Sequence, residues 1–243
     1  MCVKKKISNK GFSLIESLIS LSLFLIIIIA SLEFSMTIKD HFFNLKKDQE
    51  MDIAAFAALD KMRIDIQDSG LGLLIPQKLE FLTGFALDGD TIIIRSKEKG
   101  LFLQSDLVSG STRILLHSTR GIKKGHELSI HDGRKGEKAT VLSVDKESVI
   151  LMSPINFSYS QLTAEVLLVK KISLYLDQKD RILRRKVNSS PAQPLLEQVD
   201  DILFSYDYAS NLVNIKLKTV EERTNEISVF PKNLYLALPK EME

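Results

Sequence analysis

The chain has 243 residues, 44% hydrophobic and 26% charged, with 11 glycines and 6 prolines, which excludes a mini-protein, a collagen-like repeat and wholesale disorder. Its 33 Lys and Arg against 31 Asp and Glu leave a formal charge of +2, too balanced for a dedicated nucleic-acid binder. A single cysteine, Cys2, excludes an internal disulfide and any Cys-based zinc site, so a hydrophobic core must hold the fold unaided.

In chain order, a basic stub comes first: Met1 to Gly11 carries Lys4, Lys5, Lys6 and Lys10 and no acid. An apolar run follows from Phe12 to Leu32, 21 residues with one charge, Glu16. As a helix it would reach ~30 Å, the thickness of a bilayer's hydrocarbon core. The lysines before it place the stub in the cytoplasm and the rest of the chain outside, by the positive-inside rule. Three readings compete: a cleaved signal peptide, a plain membrane anchor, and a leader cut before the apolar run. Signal cleavage after Ala30 or Ser35 would put Ile28 or Glu33 three residues upstream of the bond, where small residues are wanted. A plain anchor leaves Glu16 unexplained, because an acid inside an apolar span costs roughly 2 to 3 kcal/mol unless it is paired or at the interface.

The stretch Lys10-Gly11-Phe12-Ser13-Leu14-Ile15-Glu16 ahead of an apolar helix resembles the prepilin N-terminus of type IV pilins and type II secretion pseudopilins. The resemblance implies cleavage by a prepilin peptidase after Gly11 and N-methylation of the new terminus at Phe12. It also implies an acid at the fifth position of the processed chain, here Glu16, which meets the N-terminal amine of a neighbouring subunit during filament assembly. The chemistry is coherent. A glycine before the cut has no side chain to obstruct an active site, and removing the leader leaves a new ammonium at the head of an apolar helix, where a carboxylate can neutralise it. The bland alternative for Glu16 is a side chain that snorkels to the headgroups. Loss of the four leader lysines leaves 29 basic against 31 acidic residues, a formal charge of −2.

From Phe12 to Ser69 there is neither glycine nor proline, 58 residues in all, and Gly70, Gly72 and Pro76 then act as stop signals. One long helix is expected, on the order of 85 Å at 1.5 Å per residue. The family often has a proline where this chain has Glu33, which leaves a kink there open. The outer half carries an apolar seam at Met51, Ala55, Ala58, Met62 and Ile66, while Ile53, Phe56 and Ile64 fall on other sides. The expected organisation is a leader at 1–11, a transmembrane and assembly helix at 12–32, its periplasmic continuation at 33–70 and a β-rich globular domain at 71–243.

Beyond Pro76, short β-rich runs are expected at Thr91 to Arg95, Arg113 to His117, Glu127 to Ile130, Ala139 to Val144, Ser148 to Met152 and Glu165 to Leu176. Asp132-Gly133 and Asp145-Lys146 read as tight connections within a hairpin module inserted around 121–152. The later runs Lys171 to Leu176, Arg181 to Arg185, Leu196 to Tyr208 and Leu212 to Leu217 resemble the tail of PilW-type minor pilins and J-type minor pseudopilins. Asp65 to Gly70 sits where those proteins close the helix. The fold class is therefore α+β and pilin-like: a long N-terminal helix packed on an antiparallel β domain.

The histidines His41, His117, His126 and His131 form no ligand or catalytic motif, and turn or surface positions are expected for them. Gly121 to Lys138 is glycine-rich and basic but lacks a phosphate-loop pattern, so a solvated hairpin tip is expected. Arg181, Arg184, Arg185 and Lys186 form a second basic cluster, read as strand surface or as an interface with a neighbouring subunit. No enzyme motif, cofactor or metal site is expected. The resemblance implies as partners the prepilin peptidase and methyltransferase, other minor and major pilins or pseudopilins, the inner-membrane assembly platform, and lipid before assembly. It also implies a single-pass bacterial inner-membrane location before transfer to a pilus or pseudopilus, where large β-rich minor members often take the tip. The rival readings are a single-pass anchored periplasmic binding module that never assembles and, more weakly, a membrane-anchored hydrolase.

Overall fold

The structure is a computed structural model, and residues 14–234 are described. The chain divides into two compact units, 1–53 and 54–243. One helix, α1 (Leu14–Gln67), runs through the division and is continuous past Glu33. No glycine or proline interrupts the run, so nothing in it breaks the backbone ladder.

In the second unit, α1 buries Ala55, Ala58, Leu59, Met62 and Ile66, the seam expected from the 3.6-residue period, and leaves Phe56 and Ile64 exposed. The helix ends where its glycines begin. Gly70 and Gly72 both take positive φ, +77° and +70°, a conformation that side-chain-bearing residues avoid. The chain then turns, and Gly70 N–H donates to the Arg95 carbonyl and Lys97 N–H to the Leu71 carbonyl. A Cβ at Gly70 would overlap the Asn233 carbonyl oxygen, so only glycine permits this crossing. Asn233 Nδ2 also donates to the Gln67 carbonyl at 3.1 Å, satisfying one of the orphan acceptors at the helix terminus.

A short helix, α2 (Leu74–Lys78), precedes twelve strands: β1 (Phe85–Asp88), β2 (Thr91–Leu101), β3 (Arg113–Leu115), β4 (Glu127–His131), β5 (Gly136–Val144), β6 (Ser148–Leu151), β7 (Glu165–Asp177), β8 (Ile182–Val187), β9 (Gln193–Leu196), β10 (Val199–Asp207), β11 (Leu212–Thr219) and β12 (Thr224–Val229). All pairings are antiparallel. The larger sheet runs β1-β2-β7-β4-β5-β6-β3, with β8 on β7 and β9 on β8; β10-β11-β12 form a second sheet. The expected α+β fold is what the structure shows.

Three strands and one helix were not legible in the hydrophobic pattern: β1, β9, β12 and α2. The expected run Leu196 to Tyr208 is broken in the structure, because Gln198 takes a positive φ of 58° and separates β9 from β10. Every residue of β4 is buried, with no alternation between its faces. Leu128 and Ile130 enter a core with Ile114, Val141, Tyr159, Val166 and Leu168. The opposite face of this region of the sheet is roofed by Leu73, Phe81 and Leu82 on Leu167 and Val169. Two covered faces remove the period-2 signature that a half-solvated strand would have.

Candidate functional site

The apolar part of α1 is exposed all round: Leu14 is 80% exposed, Phe24 60% and Ile29 57%. This helix is long and apolar enough to cross a membrane, and none of its most apolar window is buried. Exposed apolar surface on this scale costs roughly 25 cal/mol per Å² in water, which only lipid or other protein can remove. Glu16 lies in the first described turn of α1. Ser22 and Thr37 turn their hydroxyls back onto the Leu18 and Glu33 carbonyls, so these polar side chains are satisfied within the helix. Gly11 and Phe12, the expected processing junction, lie outside the described residues.

Against this geometry, residues 7–32 match the family model described as the prokaryotic N-terminal methylation motif. The chain carries a prepilin-type signal. It is of the type IV pilin and pseudopilin kind, and it spans the basic-to-apolar transition, Gly11, Phe12 and Glu16. No curated protein matches the chain. Among solved structures, the Gp54 tailspike of Acinetobacter baumannii bacteriophage AP22, in complex with A. baumannii capsular saccharide, is 23% identical over 32% of this chain, with a TM-score of 0.28. The tailspike protein gp49 from Pseudomonas phage LKA1 is 18% identical over 30% of it, with a TM-score of 0.26. This chain spans 15% of the length of each tailspike, and overlaps so short and loose carry no argument about its fold or activity.

The other candidate residues fall in places the sequence did not indicate. His126 and His131 are buried, 6% and 2% exposed, which corrects the expected surface position. His131 stacks obliquely near Phe81 and approaches Glu165 at 3.9 Å. Burial pushes both imidazoles below their ordinary pKa; Glu98 opposes this at His126, as do Glu165 and Asp132 at His131. His117 and His41 are exposed. Among the described residues, no group of three or more His, Cys, Asp or Glu is arranged to hold a metal ion.

The second basic cluster is also corrected, because its central members are engaged within the chain. Arg185 grips Asp65 of α1 with both ends of its guanidinium, at 2.5 and 3.0 Å, and that carboxylate is only 4% exposed. Arg184 bridges Asp177 and Asp180 at the β7–β8 turn. A buried network the sequence did not suggest joins Arg95 to Glu127 at 2.8 Å and Lys171 to the same carboxylate at 3.3 Å. Burial alone would raise the Glu127 pKa, but Arg95, Lys171 and Lys138 outweigh it and hold the carboxyl below its usual range. These residues fasten strands to one another and to the helix. In the expected hairpin, Asp132 Oδ1 accepts from the amides of Arg134 and Lys135, making the tight β4–β5 connection.

Proposed function

We propose that this chain is a minor pilin or minor pseudopilin, a structural subunit of a type IV pilus or type II secretion pseudopilus. Prepilin peptidase cuts after Gly11, the new terminus at Phe12 is methylated, and the subunit waits in the inner membrane with its β domain in the periplasm. The assembly platform then transfers its helix from lipid into a bundle of other pilin-type helices, with this large β-rich subunit at or near the tip. Glu16 neutralises the terminal ammonium of a neighbour as that transfer occurs, because an unpaired charge in the apolar bundle would be costly. Ser13, Ser17 and Ser20 permit close helix approach beside it.

The observation that carries this reading is the methylation motif joined to a helix whose apolar side chains are exposed on every side. N-terminal peptide mass spectrometry on the protein from membranes of cells with their own peptidase tests it. A chain beginning at methylated Phe12 is expected; an intact Met1 or a cut near Ala30 would overturn it. Glu16→Ala should insert normally yet be depleted from sheared filaments, and normal incorporation of that variant would remove the pairing role.

A further inference from the structure

Residues 100–112 hold one charged side chain, Asp106, and residues 148–164 hold none, in a chain that is 26% charged. The fold zips these two stretches into a ribbon. Leu107 and Tyr159 exchange backbone hydrogen bonds at 2.9 and 2.8 Å, Gly110 N–H donates to the Ile155 carbonyl, and Leu151 N–H donates to the Thr112 carbonyl. Asp106 Oδ1 accepts from the Gln161 amide at 2.7 Å, so the single charge is engaged within the ribbon. One side of it, with Leu103, Leu107, Leu151, Ile155 and Tyr159, enters the core. Their chain neighbours Phe102, Val108 and Met152 point the other way into solvent, as alternation on extended backbone requires, and Phe102 is 77% exposed. Leu162 is 93% exposed, on a turn held by the Gln161 side-chain amide on the Leu103 carbonyl. From beneath, the buried Glu137 carboxylate accepts from the Asn156 and Phe157 amides and from the Tyr159 hydroxyl, so the backbone that displays these apolar groups is fixed. Charge returns at the border, where Lys135 lies over the Phe157 ring. Apolar anchors on a braced backbone, bare of charge at the centre and charged at the rim, are the composition of an interface.

We propose that this uncharged face is where two copies of the chain dock, like face on like, about a two-fold axis. A partner that brought charge to it, such as a nucleic acid, an anionic headgroup or an acidic protein surface, would lose hydration and meet no opposite charge in return. The same argument excludes a head-to-tail contact with the other outward surfaces described for this chain. The second sheet exposes Lys216 and Glu226, and the β7–β8 turn carries Arg184 with Asp177 and Asp180. Either would bury charges against a face that has none to answer them. A second copy of the same face brings no charge, opposes no like charges and is self-complementary by symmetry. Two-fold pairing of identical patches is also the commonest way in which soluble chains oligomerise. Because the ribbon is already fixed by Glu137 and Asp106, docking has little backbone left to order.

The test uses the full chain in detergent micelles and involves neither processing nor a filament, so its failure leaves the pilin reading untouched. Sedimentation equilibrium should show a concentration-dependent dimer. Amide hydrogen exchange should slow on dimerisation in residues 102–112 and 152–163. Leu162→Asp and Val108→Asp should each weaken the dimer roughly tenfold or more, because each places a carboxylate in a contact with no cation to meet it. Neither should lower the melting temperature, since both side chains are exposed in the single copy. Lys216→Ala, on the outer face of the second sheet, should leave the dimer unchanged. A chain that stays monomeric, a dimer indifferent to both Asp variants, or slowed exchange confined to α1 would each overturn the proposal. So would a photo-crosslinking residue in place of Leu162 that, in native membranes, links only to a different protein. Should the Asp variants fold poorly, Leu162→Ser and the exchange pattern of the unmodified chain decide the same question.

Discussion

The two ends of α1 share one backbone and meet opposite environments. Towards the amino end, Leu, Ile and Phe surround the axis and all are exposed. In the last fourteen residues the helix is sided: Ala55, Ala58, Met62 and Ile66 are buried, and Asp65 is held by Arg185 and, at 3.6 Å, by Lys61. Alanines let a helix approach a core closely, and a carboxylate on the buried face demands a specific partner. A collar of branched side chains specifies no face and no partner, only an apolar surrounding. One end of the helix is therefore made for a unique packing and the other only for an apolar surrounding.

The comparison breaks most severely at the sided end. Asp65→Ala strands the Arg185 guanidinium, which is 12% exposed, and should cost about 3–5 kcal/mol in urea unfolding of the full chain. At the other end, Ile27→Lys should leave the unfolding midpoint of the β domain unchanged yet weaken membrane insertion by roughly 2.5–3.5 kcal/mol, read as release into the carbonate-soluble fraction. A smaller effect concerns the buried histidines. Their folded pKa values lie below the ordinary 6.5, so the unfolded chain binds more protons on acidification. The stability they permit is complete above about pH 6.5 and is lost as pH falls towards the folded values. His126→Gln with His131→Gln should flatten that part of the pH–stability curve measured by thermal melting. The smallest change sharpens the contrast with Asp65: Asp60, paired to Arg63 on the exposed side at 2.6 Å, should cost only about 0–1 kcal/mol when replaced by alanine.

Much of this was open to reading from the residues in order. The basic leader, the Gly11-Phe12 junction, Glu16 and the apolar run are local patterns, and a helix satisfies its hydrogen bonds locally, so α1 and its stop at Gly70 follow from composition and period. Strands with one wet face, such as β11 with Val213, Ile215 and Leu217 buried, declared themselves by alternation. β4 showed its apolar residues but not its two covered faces, because the roof over it comes from residues 73–82, distant in the chain. The same distance hid the engagement of Arg185 by Asp65, 120 residues away, and made two buried histidines look like surface ones. The sequence by itself determined the processing signal, the helix and the β-rich class, since each rests on neighbours in the chain. Which charges pair and which histidines are dry were decided by tertiary structure, because desolvation and pairing depend on what the fold brings alongside.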